Sequence, residues 1–215
     1  MDKHAMIQTA GIAYRYPDSD KLLKFPDVAC QAGHSVLITG PSGCGKTTWL
    51  HLIAGLLNCT AGEIVIDNRS MATMSRKGRD AFRSKNIGLV FQKTHFIESL
   101  NVWDNLCLFQ KLSLGKTETE VLNELLDSLS LAQHATRYPG SLSQGEAQRL
   151  SVARALVHKP KVLLADEPTA SLDDLRTEHT IQLLLQQAKK YQAALIVVSH
   201  DTRLRTLLDR NIALS

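Results

Sequence analysis

No apolar run in this chain approaches the roughly 20 residues that span a bilayer, and the N-terminal MDKHAMIQTA lacks the apolar core of a signal peptide. The expectation is a chain that stays in the cytoplasm. CxxC spacing is also missing. Cys30, Cys44, Cys59 and Cys107 are dispersed, so neither a zinc site nor a disulfide framework is indicated and ordinary buried thiols are expected. Charge of one sign is scarce too: +4 is mild for 215 residues, and no nucleic-acid partner is expected. Arg69, Arg76, Lys77, Arg79, Arg83 and Lys85 crowd one stretch with only Asp80 against them, which suits a solvated helix face. There are no repeats and no low-complexity segments. The length fits one α/β domain, or one domain with an inserted subdomain, and no separate second domain is expected.

What is present centres on residues 40–48, GPSGCGKTT. This is the pattern Gly, four residues, Gly, Lys, Ser or Thr, whose backbone cradles phosphate. Gly40, Gly43 and Gly45 let the chain turn and bring N–H groups close to phosphate oxygens, with Pro41, Ser42 and Cys44 between them. Lys46 adds a positive charge for the β- and γ-phosphates, and Thr47 can place its hydroxyl on Mg²⁺. Thr48 opens a helix whose N-terminal N–H groups favour anions. A strand at residues 35–39 before the loop and an amphipathic helix after it are the setting this pattern requires. Cys44, at a helix N-terminus near Lys46, has surroundings that make a thiol reactive; the alternative is a sulfur packed under the loop.

Along the chain, residues 5–14 and 22–31 are spaced as strands, with Pro17 and Pro26 interrupting, and 62–67 forms another. A small antiparallel sheet ahead of the loop is expected. Tyr16 lies on the turn between the first two strands, where its ring can stack on a purine or cover the sheet edge. After a short basic helix and a buried strand at 87–91, the periodicity turns helical, with helices at 102–112, 118–131 and 145–157. The α/β pattern resumes with a strand at 161–165, a helix at 175–191, a strand at 193–198, a short helix from Asp201 and a last strand at 211–214.

Residues 162–167, VLLADE, end an apolar strand in two carboxylates, where open parallel sheets line their ligand crevice. Asp166 is placed to hold the Mg²⁺ of a nucleotide, through water or directly, and Glu167 to take a proton from an attacking water. The other reading is a surface acidic turn. At 142–149, LSQGEAQR, Ser143 and Glu146 fit a capping box that starts the helix carrying Arg149 and Arg154. The end near Gly145 is then a second anion site. Two phosphate sites on separate parts of one chain make sense as halves of a shared one, which points to a dimer.

This series of motifs resembles the ATP-binding cassette (ABC) ATPases, whose signature is usually LSGGQ, and the resemblance covers nearly the whole chain. It implies an α/β P-loop NTPase with a RecA-like parallel-sheet core and a small N-terminal antiparallel β subdomain, together spanning 1–92 and 159–215. A helical signature subdomain is inserted at 93–158. It implies ATP and Mg²⁺ as cofactors and a second cassette packed head to tail, most simply a homodimer, with ATP between one P-loop and the partner's signature. It implies Tyr16 stacking on adenine, Gln92 sensing Mg²⁺ and water at the subdomain hinge, and residues 171–173 crossing to the partner. His200 would touch the γ-phosphate. Two positions depart from the usual pattern: Gln144 stands where Gly is more common, and Glu146 where Gln is. Ser143 and Gly145 are retained.

Residues 79–92 and the following HFIESLNVWDNL resemble the lipoprotein-release and macrolide-efflux branch. That branch implies an ATPase subunit peripheral on the inner face of the cell membrane, driving integral membrane permease subunits. A groove near residues 92–106 would take a short helix from the membrane subunit. Phe96, Ile97, Leu100 and Trp103 either line that groove or belong to the core. The rival expectations are a soluble ABC-type ATPase acting on ribosomes or nucleic acid, and a nucleotide-binding module without turnover.

Overall fold

The computed structural model describes residues 5–91, 95–170 and 172–214. An N-terminal strand β1 (Ala5–Arg15) is followed by β2 (Leu22–Lys24), β3 (Ala29–Gln31) and β4 (Ser35–Thr39), then helix α1 (Lys46–Ile53). Next come β5 (Ala61–Ile66), β6 (Arg69–Ser70), α2 (Arg76–Asn86) and β7 (Ile87–Val90). Three helices follow: α3 (Val102–Leu114), α4 (Thr119–Ser128) and α5 (Gln144–Leu156). The chain closes with β8 (Val162–Asp166), α6 (Asp174–Lys190), β9 (Ala194–Ser199), a 3-10 turn at Thr202–Thr206 and β10 (Arg210–Ala213).

The strands form two sheets. One is parallel throughout, in the order β10-β4-β9-β8-β7; the other is antiparallel, β2-β1-β5-β6, with β3 also paired to β1. Strands of the parallel sheet are apolar on both faces because both are covered, as crossover connections require. Val36, Ile38, Leu164 and Ile196 face α1 and the antiparallel sheet, in one apolar cluster. Leu37, Leu163, Leu195 and Val197 point the other way, into a second cluster with α3 to α6. Trp49, Leu50, Leu52 and Ile53 bury α1 between the two sheets.

Several expected boundaries move. Residues 22–31 are two short strands and not one, because Pro26 cannot donate to a ladder. The helix expected at 118–131 stops at Ser128, with Ser130 in a left-handed conformation at φ 52°. Helix α1 begins at Lys46, two residues before the expected start. The basic stretch divides: Arg69 is on β6, while α2 carries the other five cations with only Phe82 buried, an exposed face as its charge pattern suggests.

Candidate active site

Strand β4, buried at every position, delivers the chain into the loop ahead of α1. A Cβ at Gly40 would lie 2.5 Å from the Leu214 carbonyl oxygen and 2.7 Å from Cys44 Sγ, so this first turn has no space for a side chain. Gly45 adopts φ 101°, closed to other residues, with the Phe25 ring beneath it. Helix α1 has no side-chain cap and no acidic residue in its first turn, which leaves its first N–H groups for an anion.

Lys46 is buried to 8% exposure, and its ammonium turns back on the loop. Nζ donates to the carbonyl oxygens of Gly40 at 2.8 Å and Pro41 at 3.0 Å, and stands 3.9 Å from Glu167 Oε1. Thr47 Oγ1 donates to Asp166 Oδ2 at 3.1 Å, which joins the start of α1 to the end of β8. A hydroxyl and a carboxylate so placed are the hard oxygen donors that suit Mg²⁺. Burial pushes the Asp166 carboxyl above its ordinary value; the Thr47 hydrogen bond works against this and the neighbouring Glu167 charge with it. Thr48 Oγ1 is 2.7 Å from the Tyr16 hydroxyl. The Tyr16 ring, exposed at 42%, stands edge-on to Tyr14, its centroid 4.8 Å away.

Glu167 follows β8 with φ 47°, a left-handed conformation uncommon for a residue with a Cβ. Its N–H is tied to the Val198 carbonyl at 2.8 Å, and its carboxylate turns to the end of β9. There Oε2 accepts from the Ser199 hydroxyl at 2.8 Å, Oε1 from the His200 N–H at 3.2 Å, and His200 Nδ1 is 2.9 Å from Oε1. Beside it opens a cavity of about 370 Å³ lined by Glu167, Thr169, Ser199, His200 and Asp201. A carboxylate oriented this way can accept a proton from a water in that cavity.

Ser143 N-caps α5 as half of a capping box: Glu146 N–H donates to its Oγ at 3.4 Å, and its own N–H donates to Glu146 Oε2 at 2.7 Å. Ser143, Gln144 and Gly145 are exposed. Among the described residues no hydrogen bond or ion pair joins 143–146 to 40–48. A Cβ at Gly145 would meet only Arg149 Nη1, at 3.6 Å, so nothing within the chain requires glycine there.

Gln92 and Ser171 lie outside the described residues. Asp173 N-caps α6, its Oδ1 accepting from Arg176 N at 2.9 Å. Cys44 is half-buried, its side chain against the core cluster. Phe96 and Trp103 also pack on the core, while Ile97 is exposed at 38%. A cavity of about 400 Å³ nearby is lined by Ile87, Leu89, Phe91, Phe109, Arg154 and His158. The Arg154 guanidinium stacks over Phe96 and Phe109 there. Sequence reasoning missed Ser199 as a partner of Glu167, although its place just before His200 was a signal. It also missed Arg203, which pairs with Asp201 and with Asp174, 29 positions earlier in the chain, and carried no signal.

A family model described as ABC transporter matches residues 23–170. The chain belongs to the ABC transporter ATP-binding family. This cassette is 36% identical over 197 residues to the lipoprotein-releasing system ATP-binding protein LolD of Legionella pneumophila (strain Lens), covering 90% of this chain and 86% of that one. To the LolD of Bacteroides fragilis (strain YCH46) it is 36% identical over 209 residues, 96% of each. Among solved structures, the ATP-binding cassette MJ0796 in a dimeric post-hydrolysis state bound to ADP and Pi superposes with a TM-score of 0.85 at 30% identity, over 98% of this chain and 94% of that one. The cbiO1 of Clostridium perfringens, part of the complex cbiONQ, does so with 0.89 at 26%, over 99% and 86%. The cassette is an ATP-binding, ATP-hydrolysing subunit of a membrane transporter. No helix among the described residues is long and apolar enough to cross a membrane.

Proposed function

We propose that this cassette is the ATPase of a complex of the lipoprotein-release type, held at the inner face of the cell membrane by integral permease subunits and paired head to tail with a second copy. One observation carries the pairing. The cradle at 40–48 and the carboxylates of β8 meet at one end of the parallel sheet, while Ser143 and Gly145 stand exposed with no partner from that cradle. An uncovered glycine that its own chain does not require suits close approach by a phosphate of the partner's nucleotide. The names of the LolD relatives and the dimeric state of MJ0796 support the same reading.

On this reading the N–H groups from Ser42 to Thr48 take the triphosphate, and Lys46 exchanges the Gly40 and Pro41 carbonyls for β- and γ-phosphate oxygens. Thr47 and Asp166, with Gln92, would hold Mg²⁺, which when bound neutralises charge on the phosphates. Glu167 takes the proton of the attacking water, and Ser199 and His200 fix the carboxylate for it. His200 also reaches the γ-phosphate, and Tyr16 stacks on adenine. Ser143, Gln144 and Gly145 close the site from the second copy, with Glu146 capping the helix that presents them, and residues 171–173 cross to it. Residues 1–92 with 159–215 act as the catalytic body and 93–158 as the helical part that responds. The cavity between β7, α3 and α5 receives the membrane subunit's helix on Phe91 and Phe109.

Purification from a membrane extract tests the assignment. Recovery with integral membrane proteins, and ATP turnover by the complex, are expected; recovery with ribosomes or nucleic acid would overturn it.

A further inference from the structure

This inference rests on the reading above, that the start of α5 faces a nucleotide held by a second copy. Glu146 puts a negative charge on that face. A carboxylate suits a helix N-terminus, but it also repels a phosphate approaching the same end.

Two side chains from the segment before α5 converge on it. His134 Nε2 lies 3.0 Å from Glu146 Oε1, and Arg137 Nη1 lies 3.7 Å from Oε2. The His134 and Glu146 side chains are 15% and 16% exposed, and Arg137 covers them from the solvent side at 39%. Arg137 Nη1 is also 3.1 Å from His134 Nδ1. The Gln133 amide nitrogen stands 3.3 Å from Nε2 on the other side of the ring. Arg137 therefore meets the carboxylate directly and also holds the imidazole that touches it. Arg137 also donates to the Ser141 hydroxyl at 3.3 Å and to the Ser141 carbonyl, tying down the turn that leads into Ser143. Hydrogen bonds from the Ser143 backbone and side chain hold the Glu146 carboxyl below its ordinary range, with His134 and Arg137 adding to the effect. Glu146 is thus an anion that its own chain has already balanced.

We infer that His134 and Arg137 are positioning residues of the ATP site: Arg137 balances the charge of Glu146 and the two side chains together hold it on the Ser143 N–H, so that the start of α5 attracts phosphate despite its acidic residue. Removing the cation should weaken ATP-driven closure, and removing the anion as well should restore it.

The test is a charge cycle in a Glu167→Gln background, where hydrolysis does not interfere. Light scattering gives the MgATP concentration at half-dimerisation. Arg137→Gln should raise it by up to about fivefold and His134→Gln about twofold, the range of a single partly exposed charge interaction. Adding Glu146→Gln to Arg137→Gln should bring it back to within about twofold of the parent, and Arg137→Lys should leave it there too. Thermal melting identifies any variant that fails to fold, and Arg137→Lys then carries the comparison with Glu146→Gln. If Arg137→Gln leaves the midpoint in place, or Glu146→Gln fails to restore it, charge balance is not the role and the inference falls, while ATP-driven dimerisation of the parent stands. If the parent itself never dimerises with MgATP, the head-to-tail reading fails and takes this inference with it.

Discussion

Glu167 and His200 directly follow the adjacent strands β8 and β9, 33 residues apart in sequence, yet His200 Nδ1 lies 2.9 Å from Glu167 Oε1 and the His200 N–H donates to the same carboxylate. The parallel register of β8 on β9, with Asp166 opposite Val198, produces this pairing. A base oriented by its neighbour needs no rearrangement to meet a water.

Glu167→Gln keeps the shape and removes the proton acceptor. Turnover should fall by about 100-fold or more, with ATP binding kept and ATP-bound dimers accumulating on gel filtration. Hydrolysis at the wild-type rate would exclude Glu167 as the base.

Ser199 is fully buried and its hydroxyl holds the other oxygen of that carboxylate. Ser199→Ala should lower kcat roughly tenfold, the effect of one lost hydrogen bond to a charged group, with KM for ATP little changed. Steady-state kinetics over a range of ATP concentrations separates the two parameters, and a rise in KM alone would count against it.

The glycines separate packing from binding. Gly40→Ala drives a Cβ into the Leu214 carbonyl and should cost about 1–3 kcal/mol of stability in a denaturant titration. Gly145→Ala meets only the end of Arg149, so the melting temperature should hold while more ATP is needed for dimerisation. Equal losses of stability in the two variants would defeat this contrast.

Cysteines placed at 42 and 143 report the pairing. A disulfide should form between a Ser42→Cys chain and a Ser143→Cys chain when MgATP is present, seen as a dimer band on a non-reducing gel. Its formation within a doubly substituted monomer would rule out head-to-tail closure.

Burial pushes His158 below its ordinary value of 6.5, opposed by its contact with the Ile87 carbonyl. In the folded state it stays neutral where the unfolded chain takes up a proton. Stability should therefore be flat above about pH 7 and fall as pH drops through 6.5. His158→Phe should flatten that fall. Melting curves from pH 8 to 5 that overlay for the two proteins would show that His158 does not set the slope.

The sequence by itself determined what depends on near neighbours along the chain. The phosphate loop follows from glycines and a lysine at set spacing, and the cap of α5 from Ser143 and Glu146 three residues apart, because backbone geometry at that range leaves few alternatives. Strands and helices were legible from their apolar periods, with ends displaced where Pro26 or a left-handed residue such as Ser130 intervened. Only the tertiary structure decided which side chains meet across long stretches of chain. Ser199 on Glu167, Thr47 on Asp166, and His134 with Arg137 around Glu146 depend on strand register and on the 3-10 turn at Ala132–His134, neither of which leaves a periodic trace. The reason is the range of the forces: a cap or a tight turn is enforced within a few bonds, whereas an enclosed charge is satisfied by whichever partner the packed fold brings within about 3 Å.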